Sequence, residues 1–142
     1  MSTRTARTAW NGTLMEGSGQ VELTSSGAGT FDVSFPRRTA DTADGTTSPE
    51  ELIAAAHAAC FAMALSHGLA GTGTPPDELK TSATVTFQPG EGITKIALTV
   101  EGTVPGLDED GFRQAAEGAK ANCPVSKALS GVPEITLDAR LS

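Results

Sequence analysis

Residues 47–66 read TSPEELIAAAHAACFAMALS and carry the clearest helix signal in the chain. Ser48 suits the N-cap, Pro49 the first helical position, and Glu51 stands three residues after the cap, which together form a capping box. The spacing predicts a helix from Pro49 to about Ser66, closed by Gly68. Alanine dominates this helix and it is apolar nearly all round, so we expect it to be buried on most sides.

Strand signals precede this helix. Three segments of alternating or β-branched residues, separated by Asn-Gly and by single glycines, predict a three-stranded antiparallel meander. These segments are residues 5–10, 20–24 and 31–35. Residues 36–47 read PRRTADTADGTT, which is polar and predicts a strand-free loop carrying Arg37 and Arg38.

The chain after the helix alternates between strands and one further helix. The patterns predict a hairpin of strands 80–88 and 93–104 joined at Pro89–Gly92, a second helix from about Asp108, and a last strand Glu134–Leu141. The order βββ-α-ββ-α-β predicts an α+β fold with antiparallel sheets and two main helices, without βαβ units. No repeat or linker divides the chain, so we expect a single domain over residues 1–142.

Composition excludes several classes of function. Lys and Arg number 10 against 17 Asp and Glu, and the net charge of −7 argues against nucleic-acid binding. Hydrophobic residues at 38% and charged residues at 19% fit neither a disordered chain nor a membrane protein. No window approaches 18 uninterrupted apolar residues and the N-terminus lacks an apolar signal core, so we expect a cytoplasmic protein. With one Trp, five Phe and no Tyr, the protomer is poor in large side chains, which favours an oligomer.

The chain has two cysteines, Cys60 and Cys123, which are either inert core residues or a redox pair. Their spacing matches neither a disulfide framework nor a zinc site, so no metal is expected. Cys60 lies in the fourth helical turn, beyond the reach of the helix dipole, and a reactive thiolate there would need a cation from elsewhere. Cys123 precedes Pro124, where the second helix should break, and local electrostatics favour it as the better activated thiol.

Charged and titratable neighbours of Cys60 suggest how a site could form. Arg37 and Arg38 are the only adjacent arginines. Glu50 lies ten residues before Cys60, about 15 Å along the helix axis, so the two can share a site only through a long side chain or a second subunit. His57, one helical turn before Cys60, is a conceivable base for it.

Two motifs identify the family that this sequence resembles. Residues 47–66 closely resemble the central-helix signature of the OsmC/Ohr family, the osmotically inducible and organic-hydroperoxide-resistance proteins. Residues 121–126, ANCPVS, resemble its second cysteine motif. The segments TKIAL (94–98) and VPGLD (104–108) are similar to those of the OsmC branch.

The resemblance implies an OsmC-like fold and an intertwined homodimer, with the central helices at the subunit interface. It implies a thiol peroxidase for organic hydroperoxides, with hydrogen peroxide as a further candidate. Cys60 would attack the peroxide and Cys123 would resolve the sulfenic acid as a disulfide, which an external dithiol, such as a lipoyl-type one, would reduce. Glu50 would orient an arginine, for which the family pattern favours Arg38 over Arg37. No cofactor is implied.

Two alternatives from other classes stay open at this point. One is a thiol-based redox sensor or stress-response interaction protein, in which the disulfide alters a partner surface. The other is a detoxifying hydrolase built on Cys60 and His57, which would act without a dithiol.

Overall fold

Six strands and four helices form the fold in the computed structural model, which describes all 142 residues. The chain divides into two compact units, residues 1–52 and 53–142. A single domain over residues 1–142 stays a prediction. In chain order the elements are β1 Arg7–Asn11, β2 Ser18–Glu22, β3 Thr30–Val33, α1 Phe35–Arg38, α2 Pro49–Gly71, β4 Glu78–Gln88, β5 Gly92–Thr103, α3 Glu109–Asn122, α4 Pro124–Ala128 and β6 Glu134–Leu141.

The first unit contains the predicted meander. Strands β1, β2 and β3 pair antiparallel in that order, with Trp10 opposite Gly19. A Cβ atom at Gly19 would lie 2.9 Å from the Trp10 ring, so only glycine allows this close cross-strand contact.

The segment predicted to be wholly loop begins as a helix instead. α1 occupies Phe35–Arg38, and the Ser34 hydroxyl caps it by accepting from the Arg37 N–H at 3.3 Å. The sequence signal was Ser34 followed two residues later by a proline, which is tolerated in a first helical turn. The prediction of a loop was therefore wrong for Pro36–Arg38, and the prediction of a strand was wrong for Phe35.

The second unit is built on a three-stranded sheet of order β4-β5-β6. β4 and β5 form the predicted hairpin, but β6 pairs parallel with β5, with Ile96 opposite Ile135. The prediction of purely antiparallel sheets without a βαβ unit was therefore wrong at this pair. A parallel pair needs a long crossover, and α3 and α4 supply it.

The core of this unit lies on the face of β5 that carries Ile96, Leu98 and Val100, each at most 2% exposed. The α3 residue Phe112 is fully buried and belongs to the same core. A Cβ atom at Gly102 would lie 2.6 Å from the Phe112 ring, so glycine is needed for helix and strand to approach.

Helix α2 begins where the sequence predicted but ends later. Ser48 Oγ accepts from the Glu51 N–H at 3.1 Å, while the Glu51 carboxylate accepts from the Thr47 hydroxyl and thus completes a variant of the capping box. The helix continues through Gly68 to Gly71. Interior glycine costs about 1 kcal/mol, whereas burying a leucine contributes about 1.5–3 kcal/mol, and Leu69 is 1% exposed.

Only one face of α2 is buried in the protomer. The buried stripe has residues four apart along the helix: His57, Phe61, Leu65 and Leu69. The opposite stripe is apolar and exposed: Ala55, Ala56, Ala59 and Met63. The expectation of burial on most sides is therefore wrong for one isolated chain.

Candidate active site

The two thiols meet where α2 passes the break between α3 and α4. α3 ends at Asn122 and α4 begins at Pro124, with Cys123 in an extended conformation between them, as the Cys-Pro sequence predicted. Cys123 is fully buried and Cys60 is partly exposed. The two thiols are near enough for each to affect the ionisation of the other, and both cysteines are free.

The surroundings act on the two thiols in opposite directions. Burial and the hydrogen-bonding interaction with Cys123 raise the pKa of Cys60. Burial also opposes ionisation of Cys123, but interactions with Cys60, with Ser126 and with the Val125 N–H outweigh it, and the pKa of Cys123 is lowered. Within one protomer the first negative charge therefore belongs on Cys123. This agrees with the sequence argument that Cys123 is the better activated thiol.

His57 lies in the same part of α2 but does not pair with Cys60. Its Nε2 atom lies 2.7 Å from Ser126 Oγ, and the ring is fully buried. Burial lowers the pKa of His57, and Nδ1 has no hydrogen-bond partner. The geometry gives no support to His57 as a base for Cys60. The sequence analysis included Ser126 only as part of the ANCPVS motif and did not identify it as a partner of His57.

Arg38 and Glu50 form the other charged feature. The Arg38 side chain donates three hydrogen bonds to the Glu50 carboxylate. Nε lies 3.0 Å from Oε1 and 3.1 Å from Oε2, and Nη2 lies 2.7 Å from Oε1. The Glu50 side chain is 9% exposed and that of Arg38 is 28% exposed. Arg37 instead contacts the exposed Asp44 at 3.3 Å. Of the two adjacent arginines, Arg38 is the one that pairs with Glu50.

A cavity of about 400 Å³ lies beside Arg38 in the first unit. Its lining is mostly apolar and includes Trp10, Leu14, Phe35 and Leu52. Such a cavity suits a small apolar molecule with one polar end directed to the guanidinium.

The predicted site residues fall into two pairs. Cys60 and Cys123 belong to the second unit, and Arg38 and Glu50 to the first. No group of three His, Cys, Asp or Glu side chains is arranged to hold a metal ion.

This chain belongs to the OsmC-like protein family, whose model matches residues 42–138. Among curated proteins it is 43% identical to the peroxiredoxin OsmC of Escherichia coli over 135 residues, which cover 93% of this chain and 92% of that protein. It is 30% identical to the organic hydroperoxide resistance protein OhrB of Bacillus subtilis, over 76% of this chain and 79% of that one. The α+β architecture therefore has the OsmC fold that the two sequence motifs implied.

Solved structures confirm the fold. The crystal structure of B. subtilis OhrB is similar with a TM-score of 0.65 at 27% identity, covering 97% of this chain and 98% of that one. An organic hydroperoxide resistance protein OsmC from Legionella pneumophila has a TM-score of 0.69 at 25% identity, covering 100% and 99%.

Proposed function

We propose that this protein is a thiol-dependent peroxidase that reduces organic hydroperoxides, with hydrogen peroxide as a further candidate substrate. The observation that carries the proposal is the interaction of two free thiols, Cys60 and Cys123, in a chain 43% identical to a peroxiredoxin. A buried lone cysteine would be inert, whereas two adjacent thiols can be oxidised to a disulfide and reduced again.

The chemistry follows from the roles that we assign to the thiols. The Cys60 thiolate attacks a peroxide oxygen, an S–O bond forms as the O–O bond breaks, and the departing alkoxide takes a proton to become an alcohol. Cys123 then attacks the sulfenic acid, a disulfide forms, and the hydroxyl group leaves as water. An external dithiol reduces the disulfide and restores both thiols. Sulfur carries the electrons throughout, so the proposal needs no cofactor.

The surroundings raise the pKa of Cys60, whereas the proposed reaction needs its thiolate. A cation next to the sulfur would stabilise that thiolate. We assign this role to Arg38, held by Glu50, because a guanidinium can serve a carboxylate and a thiolate with different N–H groups. An opposite charge next to a thiolate stabilises it and lowers the pKa of the thiol. That would move the negative charge from Cys123 to Cys60.

We propose that a second copy of the chain packs against the exposed face of α2. Ala55, Ala56 and Ala59 are exposed, and Met63 retains 71% of its surface. Small side chains of this kind let two helices approach closely. The helix is also long and apolar enough to cross a bilayer by length and composition alone. We assign the face to a homodimer in the cytoplasm and not to a membrane span, because the opposite face of the same helix is buried in the protein core and carries His57.

A steady-state assay separates this function from its alternatives. Reduced protein is supplied with cumene hydroperoxide and either dithiothreitol or dihydrolipoamide, and loss of hydroperoxide is followed. A peroxidase turns over only with the dithiol, and Cys60→Ser abolishes the activity. A redox sensor would form the disulfide without efficient turnover. A hydrolase would act on its substrate without any dithiol.

A further inference from the structure

A buried chain of side chains connects His57 to Cys123 and has no role in the function proposed above. His57 is completely buried, and its Nε2 lies 2.7 Å from Ser126 Oγ. Ser126 is itself 8% exposed and lies in the first turn of α4, whose N-cap is the fully buried Cys123. The three residues come from two different elements, α2 and the α3–α4 segment, so the connection is tertiary.

The direction of these hydrogen bonds follows from the number of protons available. A serine hydroxyl has one proton and can donate it to one acceptor only. Ser126 lowers the pKa of Cys123, and its hydroxyl contributes to this only when that proton points at the sulfur. Ser126 Oγ must then act as acceptor toward His57, and Nε2 must carry the imidazole proton.

The unpaired ring nitrogen of His57 supports the same protonation state. Nδ1 is buried without a partner, so an imidazolium would bury an unsatisfied charged donor there. Burial accordingly lowers the pKa of His57 and keeps the ring neutral. A neutral ring with its proton on Nε2 leaves only a bare lone pair at Nδ1.

We propose that His57 and Ser126 are positioning residues for the resolving thiol, with His57 Nε2–H donating to Ser126 Oγ and the Ser126 hydroxyl donating to the Cys123 sulfur. A hydrogen bond to an anion is stronger than one between neutral groups, so the hydrogen bonds from His57 to Ser126 and from Ser126 to Cys123 favour the Cys123 thiolate over the thiol. The titratable groups that meet Cys123 are Cys60 directly and His57 through Ser126.

The consequence for the reaction rests on the proposed function. Once peroxide has converted Cys60 to a sulfenic acid, the Cys123 thiolate attacks the Cys60 sulfur. The S–S bond forms, the S–O bond breaks, and hydroxide leaves and is protonated to water. The proton that Cys123 lost on ionisation has already passed to solvent, so the step balances. Cys123 ionises once Cys60 has lost its negative charge in the reaction with peroxide. Ser126 and His57 raise the rate of disulfide formation by favouring that ionisation and by fixing the position of the sulfur.

The direct test is the ionisation of Cys123 in a Cys60→Ser background, followed by thiolate absorbance near 240 nm as a function of pH. The chain has only two cysteines and no tyrosine, so the signal belongs to Cys123 alone. Absorbance also suits a buried thiol that alkylating reagents reach slowly. Ser126→Ala should raise the midpoint by about one pH unit, a loss of about tenfold in thiolate at neutral pH.

The variants of His57 test whether it acts through Ser126. His57→Leu should raise the midpoint in the same direction, and His57→Gln should retain part of the effect because its amide keeps an N–H donor. In a Ser126→Ala background His57→Leu should add no further shift. Thr81→Val is the matched control, since it removes a part-buried hydroxyl that donates to the Ala58 carbonyl of α2 at 3.0 Å.

The kinetic readout is the lifetime of the sulfenic acid after one equivalent of cumene hydroperoxide. Ser126→Ala should slow disulfide formation about tenfold, and Thr81→Val should leave it unchanged. An unchanged Cys123 midpoint in Ser126→Ala, or a His57→Leu shift that persists without the hydroxyl, would overturn the proposal. If wild-type protein is not oxidised by hydroperoxide, the proposed function fails while the titration still decides this inference.

Discussion

Replacing Arg38 by alanine should destabilise the protein as well as impair its chemistry. The substitution removes the three hydrogen bonds that hold the Glu50 carboxylate and leaves a side chain only 9% exposed without its cation. A polar loop of the kind that the sequence predicted for residues 36–47 would pack little, and the fold would tolerate Arg38→Ala. The bidentate contact with a buried carboxylate changes that expectation.

The expected cost follows from the burial of the two partners. Removing one member of a fully buried pair costs about 3–5 kcal/mol. Because the Arg38 side chain keeps 28% of its surface, we expect about 2–3 kcal/mol for Arg38→Ala. For a chain of this size that corresponds to a fall in Tm of about 5–9 °C. Glu50→Ala should cost less, since the remaining guanidinium can turn toward water.

The matched control is Arg37→Ala. Arg37 contacts Asp44 at 3.3 Å, and their side chains are 45% and 70% exposed. An exposed pair of this kind is worth at most about 1 kcal/mol. The two adjacent arginines should therefore differ clearly in their effect on stability.

Urea unfolding followed by circular dichroism measures these differences. All variants are compared at one protein concentration, because self-association would change the apparent stability. In a double-mutant cycle, Arg38→Ala combined with Glu50→Ala should cost about 1–2 kcal/mol less than the sum of the single changes. Additive costs, or an Arg37→Ala variant as unstable as Arg38→Ala, would refute the reasoning.

Three further predictions concern ionisation and assembly. Arg38→Ala should raise the midpoint of Cys60 ionisation, measured by thiolate absorbance in a Cys123→Ser background, and should slow peroxide reduction at least tenfold. Arg38→Lys should restore part of both effects. Burial lowers the pKa of His57 in the folded protein. Below a pH of about 6.5 the unfolded chain therefore binds a proton at His57 that the folded chain does not bind. The free energy of unfolding should fall as the pH drops through this range. His57→Gln should reduce that fall. Met63→Glu should convert the proposed homodimer into a 14.4 kDa monomer, as measured by light scattering. A wild-type protein that is already monomeric at micromolar concentration would contradict the proposed homodimer.

Local signals were enough to predict most of the elements. The Ser48 cap, the Cys123-Pro124 break and the last strand appear where the pattern placed them, because each depends on neighbouring residues only. The parallel pairing of β6 with β5 could not be read locally. It depends on where α3 and α4 return the chain, and an alternating strand has the same pattern beside either kind of neighbour.

The site shows the same division between local and tertiary information. The family resemblance proposed that Glu50 orients an arginine, but the contact with Arg38 depends on α1, a helix that the polar sequence of residues 36–47 did not predict. The bond between His57 and Ser126 joins residues 69 positions apart. The sequence signal for this bond was the position of Ser126 three residues after Cys123, and the same spacing also occurs at ordinary helix starts.

The central claim is that Cys60 reduces a hydroperoxide and Cys123 resolves the product. The most direct measurement is one turnover: reduced protein is mixed with one equivalent of cumene hydroperoxide, and cumyl alcohol and remaining thiols are counted. Wild type should give one alcohol and lose two thiols per chain, and Cys123→Ser should give one alcohol and a trappable sulfenic acid. Cys60→Ser should give none. Alcohol formed at the wild-type rate by Cys60→Ser, or no alcohol from wild type, would contradict the account.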